Sequence, residues 1–270
     1  MDDINARGLV MIGCGFMGKA LLEGWIAAGL SPEAVTVQDP TPSEWLAAQP
    51  GFRLNAPLPE APAVLVIAVK PQVLDEVIPD LAGFGGGRTI VVTIATGAPV
   101  SYYERHFGPE TPIIRTMPNL PASVGCGVTA LCANAAASGE AMALVGTLFG
   151  AVGTSVTLED EGMMHLVTGV SGSGPAYVFA LAEAMAQAGT ELGLPEELAR
   201  ALAIQTVAGA GHMLATPGAD PTALRQAVTS KGGTTAKALE QLMRTPDGIA
   251  DLARAAVDAS RNRSAELSRS

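Results

Sequence analysis

The segment "VMIGCGFMGKA" constrains the fold more than any other stretch of the chain. Gly13, Gly15 and Gly18 follow the apolar run "LVMI" at 9–12 and open a helical pattern over 18–28 that carries Ala20, Leu21, Leu22 and Trp25. The first glycine permits a tight turn, the second lets backbone approach a pyrophosphate, and the third packs the helix close to the strand. The N–H groups and dipole at the start of that helix favour phosphate charge. A glycine-rich turn can also be purely structural. Its place between a strand and a helix favours the dinucleotide reading.

The sequence that follows supplies a setting for such a turn. Short β-rich runs, "VTVQ" at 35–38, "VLVIAV" at 64–69, "TIVVTI" at 89–94 and "PIIRTM" at 112–117, are bounded by Gly, Pro or Asp. "TALCAN" and "GTSVTLED" predict further strands. Near-continuous apolar strands separated by helices predict a parallel sheet covered on both faces. Asp39 ends the second run, where an acid commonly holds the adenosine ribose hydroxyls, although Thr41 and Ser43 could instead donate to a ribose phosphate. An Asp-Pro turn with no binding role is the plainer alternative. "AVKPQ" at 68–72 ends a strand with Lys70, which at the ligand edge of an open sheet is placed to meet an anion.

After Glu159 the alternation stops and helical signals succeed one another. Pro175, Pro195 with Glu196 and Glu197, and Asp220 before Pro221 each mark a helix start, and "DGIADLARAAVDASRNR" reads as a last amphipathic helix. The predicted division is a Rossmann-type α/β domain over 1–158 and an all-α domain over 159–270. Hydrophobic residues are 48% and aromatics only 4%, so these helices must pack through Ala, Leu, Val and Met. The net charge of -10 argues against nucleic acid as a partner. No apolar run reaches membrane-span length, the acidic start "MDDINARG" is unlike a secretory signal, and Cys14, Cys126 and Cys132 form no pairing framework, so a reducing cytoplasm is expected. His106, His165 and His212 are scattered, and no metal site is expected.

The segment "AVTSKGGTTAKALEQL" at 227–242 places two glycines and three threonines ahead of a helical pattern. Backbone N–H groups converging there suit a carboxylate or a phosphate. A simple N-cap at Ser230 or Thr234 is the plainer alternative.

Taken together, "MPNLPASVGCGVTAL", "VTGVSGSGPAYVFALAEA" and "VTSKGGTTAKAL" resemble the pyrroline-5-carboxylate reductase family, in order and over essentially the whole chain. The departures are Lys231 where the family usually has proline, Thr96 where it has alanine, and Lys237 where it often has glycine. The resemblance implies an all-helical C-terminal dimerisation domain interlaced with that of a second subunit. In that layout "GSGPAYVFALAEAMAQAG" would be a dimer-core helix whose small residues let neighbours approach. It implies hydride transfer from NADPH or NADH to the C=N carbon of 1-pyrroline-5-carboxylate, giving L-proline, the last step of proline biosynthesis. Matched positions make Thr235 the donor to the ring nitrogen, and Ser230, Gly232, Gly233 and Thr234 a carboxylate clamp with it. On the cofactor side they are Gly13, Cys14, Gly15, Phe16, Met17 and Gly18, then Asn55 near the adenosine ribose, then Ala68, Val69, Lys70 and Pro71, joined by Asp39 from its place after the second run. Ala95, Thr96 and Gly97, with Met117, Pro118 and Asn119, should line the nicotinamide end. A β-hydroxyacid dehydrogenase joins similar domains but would need Lys231 or Lys237 as its catalytic lysine. A cofactor-sensing module would have no need of the "GGTT" clamp.

Overall fold

A computed structural model describes residues 1–268. By compactness the chain forms two units, Met1–Gly172 with the C-terminal stretch from Ser260, and Ser173–Ala259. The first is built on eight strands: β1 (Leu9–Ile12), β2 (Val35–Gln38), β3 (Arg53–Leu54), β4 (Val64–Ile67), β5 (Ile90–Thr93), β6 (Ile113–Met117), β7 (Gly127–Ala133) and β8 (Gly153–Thr157). Their order is β3-β2-β1-β4-β5-β6-β7-β8. The first six run parallel, in the order typical of doubly wound dinucleotide-binding sheets.

The alternation of side chains explains why these strands are apolar throughout. Leu9 and Met11 join one core cluster and Val10 and Ile12 the other; Val64 and Val66 part from Leu65 and Ile67 in the same way. Both faces are therefore buried, and a polar face is excluded. The helices Phe16–Ala27 and Gly139–Gly150 cover one face, where Trp25 is fully buried, packs edge-on to Phe149 at 5.9 Å and donates its indole N–H to the Leu148 carbonyl at 2.8 Å. Val100–Phe107 and the turns before β5 cover the other.

Two features depart from the sequence expectation. The two-residue β3 has too little periodicity to be read from sequence. The sheet is also not wholly parallel: β7 runs antiparallel to β6, and β8 then runs parallel to β7. The connection 118–126 is too short for the crossover that a parallel return requires, whereas the helix Gly139–Gly150 provides one between β7 and β8.

The segment 161–172 belongs to the sheet unit because it is tied there. Glu161 accepts from the buried Arg115 guanidinium at 2.7 Å and from the Val100 N–H at 2.8 Å, and Met164 packs with Ala130 and Cys132. A π-helical turn, Thr168–Gly172, follows.

The second unit holds the helices Gly174–Glu191, Glu196–Leu214, Pro221–Ala227 and Thr234–Leu242 and the start of Ile249–Leu267. Pro175 lies in the first turn of its helix, Pro195 is the N-cap residue of the next, and Asp220 caps the third by accepting from the Thr222 N–H at 2.9 Å. The first two helices pack closely at Gly189, where a Cβ would lie 3.1 Å from that of Ala199. Among the described residues of this unit, the only buried side chains are the methyls of Ala199 and Ala203.

Candidate active site

The glycine loop fulfils three distinct requirements. Gly13 has φ +81, and a Cβ there would come within 2.8 Å of Val69 Cγ1, so the turn admits only glycine. A Cβ on Gly18 would stand 3.2 Å from Met11 Sδ and 3.3 Å from the Gly13 carbonyl, the close packing of helix on strand. Gly15 is different: a Cβ there would meet no protein atom within 4 Å. Packing within the chain gives no reason for that glycine. The open space beside it, at the N-cap of Phe16–Ala27, fits the pyrophosphate of a dinucleotide.

The loops at this edge of the sheet are laced together. The Gly13 N–H donates to the Gln38 carbonyl at 2.7 Å and the Ala68 N–H to the Ile12 carbonyl at 2.8 Å. This brings Gly13, Cys14, Gly15, Phe16, Asp39, Ala68, Val69 and Lys70 around one cleft of about 530 Å³, joined by Lys19, Thr41 and Ser43. Phe16 is largely exposed there. Burial, with Asp39 and Glu23 nearby, pushes the Cys14 thiol up to about 12, so no thiolate adds negative charge to the anion-binding loop. Met17 instead packs against the core.

Asn55 lines a neighbouring cleft of about 490 Å³ with Gln38, Ala56 and Pro57. It adopts φ 51 and clasps the Asp39 backbone with both amide atoms, accepting from the Asp39 N–H and donating to its carbonyl, each at 2.9 Å. Pro71, Thr96 and Gly97 line a third cleft of about 650 Å³ with Tyr102, Arg105 and Leu267.

The loop after β5 has a support that the sequence does not reveal. Thr93 Oγ1 accepts from the Ala95 N–H at 3.2 Å and shares a 2.7 Å hydrogen bond with the buried Tyr103 hydroxyl. Burial pushes that phenol up to about 12, so it remains an O–H. Asn119 also proves to be a brace: its amide accepts from the Val128 N–H at 2.9 Å and donates to the Ser171 carbonyl at 3.1 Å. Gly172 packs against Met117, where a Cβ would lie 2.7 Å from its terminal methyl. Pro118, between Met117 and Asn119 in sequence, is buried.

In the helical unit, the stretch from Ser230 to Thr235 forms a tight turn into the helix Thr234–Leu242. Gly232 has φ +75, and a Cβ on Gly233 would overlap the Ser230 hydroxyl. Gly233 is the N-cap residue, and no side chain caps the helix. The alternative of Ser230 or Thr234 as a simple cap is therefore not realised. Thr234 is exposed and Thr235 half-buried at the first turn, while Lys231 is exposed and Lys237 pairs with Glu240 at 3.0 Å.

Comparison with known proteins decides the family. The chain is 40% identical to the pyrroline-5-carboxylate reductase of Synechocystis over 84% of this chain and 86% of that protein. It belongs to the pyrroline-5-carboxylate reductase family. The Pseudomonas aeruginosa enzyme of the same name is 36% identical over 96% of both chains. A pyrroline-5-carboxylate reductase structure from Coxiella burnetii superposes with a TM-score of 0.90 at 31% identity, covering 98% of this chain and 99% of that one. A Plasmodium falciparum pyrroline carboxylate reductase with NADP bound gives 0.84 at 26% identity, covering 98% and 99%. The family described as pyrroline-5-carboxylate reductase dimerisation matches residues 161–267, and that described as NADP oxidoreductase, coenzyme F420-dependent, matches 9–97. Membership of the reductase family covers the glycine loop and the "GGTT" turn alike.

Proposed function

We propose that this chain reduces 1-pyrroline-5-carboxylate to L-proline with NADPH or NADH, the last step of proline biosynthesis. The observation that carries this reading is Gly15, whose missing side chain leaves space that no protein atom uses, in a chain similar along nearly its whole length to pyrroline-5-carboxylate reductases. The nicotinamide cofactor supplies the hydride. The residues of the chain bind, orient and polarise. Gly13, Gly15 and the helix start at Phe16 hold the pyrophosphate, and Ala95, Thr96 and Gly97 take the nicotinamide end, positioned by Thr93 and Tyr103.

The turn Ser230, Gly232, Gly233 and Thr234 holds the substrate carboxylate, chiefly through the first N–H groups of the helix, which have no intrahelical partners, the Gly233 N–H being taken by the Ser230 carbonyl at 3.0 Å. Thr235 donates its hydroxyl to the ring nitrogen. That bond strengthens as hydride reaches carbon and the nitrogen becomes more basic, so it lowers the barrier rather than only tightening binding. As hydride reaches carbon the nitrogen takes a proton from solvent, with Thr235 polarising the C=N bond until it does, so the chain needs little acid–base machinery of its own and positioning does most of the work. The helical unit takes a second copy, giving a homodimer or an assembly of dimers. The free thiols suit a reducing cytoplasm.

The test is consumption of NADPH or NADH by the purified protein with 1-pyrroline-5-carboxylate. Thr235→Ala should lower kcat by about ten- to a hundredfold, equivalent to about 1.4–2.8 kcal/mol, while Thr235→Ser keeps most of it. Cofactor affinity should stay near wild type in both. If Thr235→Ala lowers Tm and leaves kcat within about twofold, Thr235 is a packing residue and leaves the mechanism.

A further inference from the structure

The cleft that takes the adenosine end holds a carboxylate in a fixed position. Asp39 accepts from the Cys14 N–H through Oδ2 at 2.8 Å and from the Thr41 N–H through Oδ1 at 2.9 Å. Its backbone is clasped on both sides by Asn55. Four hydrogen bonds thus anchor one residue, and rotation away from the cleft would break at least two of them. The Thr41 N–H is the donor that this turn would otherwise offer to a phosphate, and the carboxylate has taken it. Each carboxylate oxygen keeps further acceptor capacity, which suits the two hydroxyls of a ribose.

The cations of the cleft do not reverse this. Lys19 and Lys70 line it, but NADH and NADPH both carry the pyrophosphate, so a lysine that meets it favours both. Lys19 is also engaged with Glu23 at 3.7 Å and lies over the Trp45 ring at 5.2 Å. The groups that differ between the cofactors are a ribose 2′-hydroxyl, which donates to a carboxylate, and a 2′-phosphate, which is repelled by one.

We infer that Asp39, locked by Cys14, Thr41 and Asn55, selects a dinucleotide with a free adenosine ribose 2′-hydroxyl, NADH, over its 2′-phosphorylated counterpart. The inference rests on the dinucleotide-binding reading of the glycine loop.

Calorimetric titration of the full-length protein with NAD+ and with NADP+, without substrate, measures the selection independently of turnover. Wild type should bind NAD+ at least about tenfold more tightly, and Asp39→Ser should shift the ratio toward NADP+ by about tenfold or more. Asp39 also braces the glycine loop, so Asp39→Ser can weaken both cofactors; the ratio, not either affinity, is the readout. Should Asp39→Ser fail to fold, Asp39→Asn keeps an oxygen acceptor for one N–H donor, removes the charge and should shift the ratio in the same direction. Equal affinities or a preference for NADP+ in wild type overturn the selection while leaving the dinucleotide site standing. A preference for NAD+ that survives both substitutions removes Asp39 from it. Binding of neither dinucleotide overturns the selection and the underlying reading together.

Discussion

Gly13 and Gly15 stand two residues apart in one motif, yet substitution should affect them in opposite ways. Gly13→Ala introduces a side chain at φ +81 and within 2.8 Å of Val69, so it should cost about 1–3 kcal/mol of stability. Gly15→Ala meets no protein atom and should leave Tm within about a degree or two of wild type, as for substitutions away from packed features. Its methyl would fill the space assigned to the pyrophosphate, however, and dinucleotide affinity should fall about tenfold or more. Thermal melts and titrations on the same preparations check both; an unaffected affinity in Gly15→Ala would place the cofactor elsewhere. The glycine spacing was legible because each glycine meets a general requirement: backbone geometry at Gly13, open space at Gly15 and close helix–strand packing at Gly18. Asp39 was only half legible. Its position at the end of β2 could be read, but the Cys14 and Asn55 partners come from other loops. Asn119, which the sequence places at the nicotinamide end, uses its side chain to tie Val128 and Ser171, partners that no sequence spacing reveals.

At the level of elements, β6 carries a charge that its neighbours do not. Arg115 sits in "PIIRTM" with its side chain only 6% exposed, and its guanidinium is met by Glu161, itself 30% exposed. Removing one partner of such a pair leaves a buried charge uncompensated, which costs more than the pair itself contributes. Because Glu161 is partly solvated, Glu161→Ala should cost about 2 kcal/mol, less than a fully buried pair would, and lower Tm by roughly 5 °C. The double substitution Arg115→Met with Glu161→Ala should recover much of that loss, and a thermal-melt cycle over the four proteins measures the coupling. An Arg buried in an apolar strand requires a partner. The partner itself was not visible, because Glu161 lies beyond the point where the strand–helix alternation ends. That same tie draws 161–172 to the sheet unit, so the chain divides after Gly172 by compactness although its sequence pattern changes near 158. The antiparallel β7 was hidden for a related reason: apolar content reports burial on both faces and not strand direction.

The whole molecule raises the question of what the helices after Ser173 are folded against. Val178, Phe179, Leu181 and Met185 on one helix, and Leu198, Leu202 and Ile204 on the next, are each exposed by 39–56% in a single chain. Full burial of such a side chain from full exposure contributes about 1.5–3 kcal/mol, so covering the half that each still exposes adds about 1 kcal/mol apiece, several kcal/mol over the two faces. A second copy of the same unit is the occupant that the dimerisation family over 161–267 suggests. Folding and association should then be one process, with a Tm that rises with protein concentration. Sedimentation should show no monomer at about micromolar concentration, the range expected of an obligate interface. Ala184 discriminates further, since it is exposed in the single chain on the helix Gly174–Glu191. On a free surface Ala184→Glu would change stability by no more than about 0.5 kcal/mol. In the core of an interface it would bury a charge without a partner, and the protein should dissociate or unfold. A wild type that sediments as a monomer, or an Ala184→Glu protein indistinguishable from it in size and Tm, would show these helical faces to be solvent surface after all.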